Sequence, residues 1–129
     1  MLDKFSYRLL SDKPFDIVVE NLERETVNYK FKILHIHDVQ KTLMEKGFER
    51  GPLKILELCN AGFAHKALQK EIGVALFMPC RITVHTEDGK TVVTLGRPKM
   101  ISEFIPQAGL NELAEDVENT LIKIMEASI

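Results

Sequence analysis

The sequence predicts an α+β fold in which a long C-terminal helix lies over an antiparallel sheet, and three observations carry that prediction. Several stretches alternate apolar and polar residues with period two, as half-buried strands do, and helical spacings separate them. Asp88-Gly89 stands between two β-rich runs, and this pair suits the left-handed backbone of the two-residue turn that joins antiparallel strands. Leu110, Leu113, Val117, Leu121 and Ile124 recur at spacings of three and four, the apolar stripe of one amphipathic helix.

Taken in order, Phe5 to Leu10 alternates as a strand and the SDKP segment breaks it. Pro14 is expected in the first turn of a helix, where the missing amide has no internal partner in any case. Phe15, Val18, Val19 and Leu22 continue that helix, with Asp16 near its positive end. From Tyr29 to His37 the period returns to two, which places Phe31, Ile33, His35 and His37 on one side and Lys32, Leu34 and Ile36 on the other. Both sides carry apolar residues, which predicts a central strand. Asp38 is placed to cap a short helix with Val39, Leu43 and Met44 on its apolar face, and Gly47 suits the left-handed residue that follows.

Leu53 to Cys59 reads as a third strand, with Ile55, Glu57 and Cys59 on one side and Lys54, Leu56 and Leu58 on the other. Asn60 is expected to cap a helix that turns Phe63, Ala67 and Leu68 inward and stops at Gly73. Two-residue register around Asp88-Gly89 pairs Val84 with Val93 and Ile82 with Leu95 on an apolar face, leaving Thr83 with Thr94 and His85 with Val92 on the other. Arg97-Pro98 closes the hairpin, and Pro106 and Gly109 interrupt the chain before the last helix. Glu112, Glu115, Asp116 and Glu118 lie near the start of that helix, in the favourable sense of its dipole.

A chain of 129 residues, 45% hydrophobic and 28% charged, suits one soluble domain spanning residues 1–129. Seventeen basic and nineteen acidic residues leave a formal charge of −2, which supplies no general field for a polyanion, so nucleic acid is not an expected partner. The longest apolar run, Ile72 to Cys80, falls well short of the roughly 18 residues of a membrane span, and MLDKFSYRLL has no signal-peptide core. No membrane partner is expected, and the expected location is the cytoplasm. Cys59 and Cys80 form neither a disulfide framework nor a paired zinc motif. GxGxxG, P-loop and GxSxG patterns are absent, which leaves nucleotide-dependent and hydrolase classes without support. No cofactor is expected.

The segments ILHIHD, a short helix ending in KG, KILELCNAG, LFMPCRITVHTEDGK and TVV, closing at Arg97-Pro98, together resemble the family catalogued as domain of unknown function 302. The resemblance runs from Ile33 to Pro98, about half of the chain. It implies a TATA-box-binding-protein-like arrangement of antiparallel sheet and long C-terminal helix, and it brings no DNA binding with it, because fold does not transfer function. Much of that family has Gly-Asn-Pro after its third strand and an apolar residue after Leu-x-Pro. This chain has Cys59-Asn60-Ala61 and Pro79-Cys80 instead, the mark of a cysteine-bearing branch. The family brings no established activity, so chemistry must come from the residues.

The leading expectation is a small-ligand or anion-binding module, expected to be a homodimer, with its pocket near His37, Asp38, Cys59, Asn60, Pro79 and Cys80. Two helix N-termini, after Asp38 and Asn60, would aim unpaired amides at one region and so bind an anion without net positive charge. Capping alone also accounts for both residues. Dimerisation follows from the exposed strand edges of a small antiparallel sheet. A second reading is a thiol-based sulfur-transfer or redox-sensing protein, in which Cys59 before a helix N-terminus or Cys80 beside Arg81 acts as the nucleophile. Against it, Cys80 is in phase with Ile82 and Val84, as a buried cysteine would be, and a flat sheet points the two sulfurs to opposite sides. A third reading places a zinc or iron ion on His35 and His37, joined by Glu57, Cys59 or His85. For that set, a partly solvated polar sheet face is the plainer account.

Overall fold

Period-two segments and helical segments become a five-stranded sheet with its helices packed on one side. The computed structural model describes residues 3–129. The order is β1 (Ser6–Ser11), α1 (Phe15–Asn28), β2 (Lys32–Asp38), α2 (Val39–Glu45), β3 (Leu53–Cys59), α3 (Ala61–Lys70), a 3-10 turn (Ile72–Phe77), β4 (Cys80–Glu87), β5 (Lys90–Gly96), α4 (Lys99–Phe104), a second 3-10 turn (Pro106–Ala108) and α5 (Asn111–Ser128). The strands lie in the order β1-β5-β4-β3-β2, and every neighbouring pair is antiparallel.

Alternation along the strands sends Leu56 and Leu58, Ile82 and Val84, and Val93 and Leu95 to one face, where Val18 and Leu22 of α1 and Leu121, Ile124 and Met125 of α5 cover them. The opposite face carries Arg8, Glu57, Arg81, Thr83, His85 and Thr94, all at least partly exposed. Hairpin register agrees with the sequence: Val84 pairs with Val93 and Ile82 with Leu95. Asp88 and Gly89 both take positive φ, 51° and 77°, as this turn requires.

Helix ends follow local chemistry. The Asp38 side chain accepts a hydrogen bond from the Lys41 amide at 3.0 Å, and the Asn60 side chain accepts one from the Phe63 amide at 3.0 Å. After α2, Gly47 at φ 85° donates its amide to the Met44 carbonyl while the Phe48 amide reaches Leu43, the Schellman arrangement. Lys30 occupies the same position after α1 at φ 64°, with its amide on Val27 and the Phe31 amide on Thr26.

Four expectations are corrected. The second strand is not central: among the described residues β2 is an edge strand, paired only with β3. Its two-sided apolar pattern arises because the register slips between Ile33 and His35. One extra residue, the half-exposed Leu34, changes the phase. Ile33 therefore sits opposite Leu58 and Ile36 opposite Leu56, both on the core side, while His35 and His37 remain together on the other. Gly73 does not end a helix. Helix α3 stops at Lys70, and Gly73 lies inside the following 3-10 turn, its amide held by the Glu71 carboxylate at 2.9 Å. Pro14 precedes the first turn of α1 as its cap residue, with ψ 149°. Between the hairpin and Pro106 the chain forms a further short helix, α4, where no helix is expected from the sequence.

Candidate functional site

Between the ends of β3 and β4 and the helices α3, α4 and α5 lies a cavity of about 80 Å³. Its origin is local. The face that α3 turns toward the sheet carries Ala64 and Ala67, α5 contributes Ala114, and all three border the space; methyl groups facing one another leave a gap that longer side chains would close. Phe31, Leu58, Phe63, Val74, Ile101 and Leu113 complete an almost wholly apolar wall. Phe31 and Phe63 meet with ring centroids 6.1 Å apart.

Four of the six expected site residues, Cys59, Asn60, Pro79 and Cys80, border this cavity. Leu58 pairs directly with Cys80, so Cys59 is one residue out of register with it, yet both sulfur-bearing residues reach the same hollow where the strands end. Both cysteines are free. Burial pushes the Cys80 thiol up to about 11; negative charge on Cys59 adds to the shift and Arg81 opposes it. Cys80 is therefore a protonated thiol at neutral pH, set in the cavity wall. Asn60 uses both ends of its side chain within the fold. Its carbonyl oxygen caps α3, and its amide nitrogen donates to the Lys30 carbonyl at 2.9 Å, tying α3 to the turn before β2.

His37 and Asp38 do not join this group. Asp38 pairs with Lys54 at one end of β3, whereas Cys59 pairs with Lys32 at the other. Consecutive antiparallel strands finish at opposite ends of a sheet, so helices that follow them begin far apart. The shared region of two converging helix N-termini, on which anion binding rested, does not exist. Asp38 instead borders a second, more polar groove with Phe15, Gln40 and Lys54.

The histidines form a separate cluster on the open sheet face. His35 and His37 meet edge to face with ring centroids 4.4 Å apart. Glu57 receives His37 Nε2 at 3.1 Å and lies 3.8 Å from the Arg81 guanidinium. His85 turns away to Glu87 at 3.1 Å. That bond and the neighbouring Arg8 hold the Glu87 carboxyl below its usual range. Among the described residues no group of three or more His, Cys, Asp or Glu side chains is placed to hold a metal. The polar set is held by contacts among its own members, His37 and Arg81 with Glu57, and His85 with Glu87.

Glu118, expected only as one of several acids toward the start of the last helix, has a structural role of its own. It is almost fully buried, with its carboxylate bridged to Arg97 by two bonds of 3.1 Å, and it accepts the Lys99 amide at 3.3 Å. The signal was available: Ala114, Glu118, Leu121 and Met125 share one helical stripe. This clamp holds α5 against the start of α4 at the rear of the cavity.

A one-sided antiparallel sheet with an apolar hollow at one end defines a class of small α+β domains, and within it the chain has a definite place. The family described as Domain of unknown function DUF302 matches residues 7–128, and the chain belongs to that family. It is similar to the crystal structure of an uncharacterized conserved protein DUF302 from Bacillus stearothermophilus, with a TM-score of 0.93 and 28% identity over 98% of this chain and 100% of that one. No curated protein matches it. Among the described residues no helix is long and apolar enough to cross a membrane.

Proposed function

We propose that the chain acts as one small-ligand binding domain whose ligand places a short apolar group in the hollow beside Cys59 and Cys80. The observation that carries this reading is the cavity wall, which is almost wholly apolar and is bordered by three alanines where larger side chains would pack solid. At about 80 Å³ the space lies below the roughly 300–1,000 Å³ of pockets that enclose drug-sized ligands. It takes a few methylenes or a small ring, and a nucleotide is too large. Anions are disfavoured, because burying an unpaired charge in such a wall is costly.

The test is titration of the labelled protein with 1-hexanol, hexanoate and inorganic phosphate, followed by amide chemical shifts. Saturable shifts at Phe63, Val74 and Ile101 with hexanol, lost in Ala67→Phe, support the reading. A response to phosphate alone, or hexanol shifts that Ala67→Phe leaves intact, would contradict it. Homodimerisation belongs to the same proposal and draws support from β2, whose outer edge pairs with no other strand among the described residues and so leaves backbone groups for a second copy. Light scattering during size-exclusion chromatography measures it directly. A cytoplasmic setting, which keeps thiols reduced, accords with the two free cysteines.

A further inference from the structure

Both cysteines of the chain border the hollow, and a third sulfur-bearing residue, Met78, joins them there. Cys59 closes β3 and Cys80 opens β4. Leu58 pairs with Cys80, so Cys59 stands one residue beyond that pair, while Met78 comes two residues before Cys80, between the 3-10 turn and β4. Negative charge on Cys59 is felt at Cys80, which puts the two thiols within electrostatic reach of each other.

The rest of the wall decides what these sulfurs can hold. Every other lining side chain is hydrocarbon except that of Asn60, whose oxygen takes the Phe63 amide and whose nitrogen donates to the Lys30 carbonyl. The hollow therefore offers soft sulfur donors and no uncommitted side-chain oxygen or nitrogen. Hard cations such as calcium and magnesium need oxygen ligands, and a structural zinc site takes four protein ligands. Thiolate and thioether donors select copper(I). A disulfide is the competing use of two neighbouring cysteines. It needs β-carbons about 3.5–4.5 Å apart, whereas positions one out of register on adjacent strands project from opposite sides of the pleat. An ion between the sulfurs spans the wider gap.

We propose that Cys59, Met78 and Cys80 hold one copper(I) ion at the sheet end of the hollow, through two thiolates and a thioether. The two thiol protons leave to solvent as the ion binds. The ion cancels one thiolate charge, and Arg81, next in the chain to Cys80, acts against the other. The proposal stands apart from the apolar-ligand reading, since it uses the sulfur edge of the wall and not the alanines. It departs from the expectation of no cofactor, which rested on local motifs. No spacing in the sequence joins Cys59 to Met78 and Cys80; the pairing of β3 with β4 does.

The experiment is anaerobic titration of the full chain with copper(I) against a chromophoric copper(I) chelator, with a parallel titration by zinc(II) and X-ray absorption at the copper edge. Wild type is expected to take up about one copper(I) per chain, bound by sulfur alone and about a hundredfold or more tighter than zinc. Cys59→Ser and Cys80→Ser should each weaken binding by about a hundredfold, and Met78→Leu by about tenfold. Circular dichroism establishes that the variants remain folded, and the X-ray spectrum of wild type depends on no variant. Nitrogen or oxygen bound to the copper overturns the proposal. So does zinc binding of equal strength, or a Met78→Leu or Cys59→Ser protein that binds copper as wild type does. Hexanol shifts without copper uptake likewise overturn it and leave the cavity reading standing; copper uptake without hexanol shifts supports it and removes the cavity reading.

Discussion

Glu118 and Cys80 show how position alone changes what a side chain does. Glu118 would be one more acid on a helix surface were its helical phase different. Instead it enters the interior on two bonds from Arg97, which also reaches the Asp3 carbonyl at 2.7 Å. Breaking a buried pair leaves an uncompensated charge, so Glu118→Ala should lower unfolding free energy in urea by about 3 kcal/mol. A loss within a few tenths of a kcal/mol would show that the clamp contributes little. Cys80 yields a pH prediction. Its folded-state value of about 11 lies above the ordinary 9.0. Above pH 9 the unfolded chain releases this proton while the folded chain retains it. The stability that Cys80 contributes is thus complete below pH 9 and declines as pH rises toward 11, by about 3 kcal/mol at most. Urea unfolding from pH 8 to 11, compared between wild type and Cys80→Ala, isolates the effect; parallel profiles would remove it. Iodoacetamide at pH 8 should leave native Cys80 unmodified.

Among the elements, the connection from α1 to β2 is where local preference and tertiary demand conflict. Lys30 takes the left-handed conformation that a Schellman end requires, although a side chain makes that region costly by about 1 kcal/mol or more. Its carbonyl receives Asn60, so the strained residue also anchors the start of α3. Lys30→Gly is expected to raise stability by about 1 kcal/mol or slightly less, since glycine adds freedom to the unfolded chain; thermal and urea unfolding report the sign. The same connection leads into the phase change of β2. Counting from Tyr29 gives Ile33 and His37 the same phase, and the slip after Ile33 reverses it. A bulge carries no composition signal here: Leu34 is apolar and would suit a buried strand position, yet it is exposed. Helix α4 escaped for a different reason. Six residues between two proline-marked breaks contain too few turns for a period to be read.

At the scale of the molecule, all the long helices cover one sheet face, and the two ends of the sheet then differ in what closes them. At the end where β3 stops and β4 starts, short side chains on α3 and α5 leave the hollow, and the 3-10 turn before β4 exposes its apolar side chains around the opening. At the other end, Asp38 and the start of α2 border a polar groove. The hollow is therefore separated from the linked polar set of His37, Glu57 and Arg81, which belongs to the open face of the sheet.

Local rules of turn, cap and alternation settled much of this protein from the sequence alone: the α+β class, the hairpin and its register, the caps at Asp38 and Asn60, and the long last helix. Each depends on residues close together in the chain, whose spacing and backbone preferences are legible one after another. Which residues share the hollow was decided only in three dimensions. Antiparallel pairing of β2 with β3 carried His37 and Asp38 to one end and Cys59 to the other, while β3 and β4 brought Cys59 and Cys80 together. Strand order and the covered face depend on burying apolar surface across the whole chain, and no short segment contains that information.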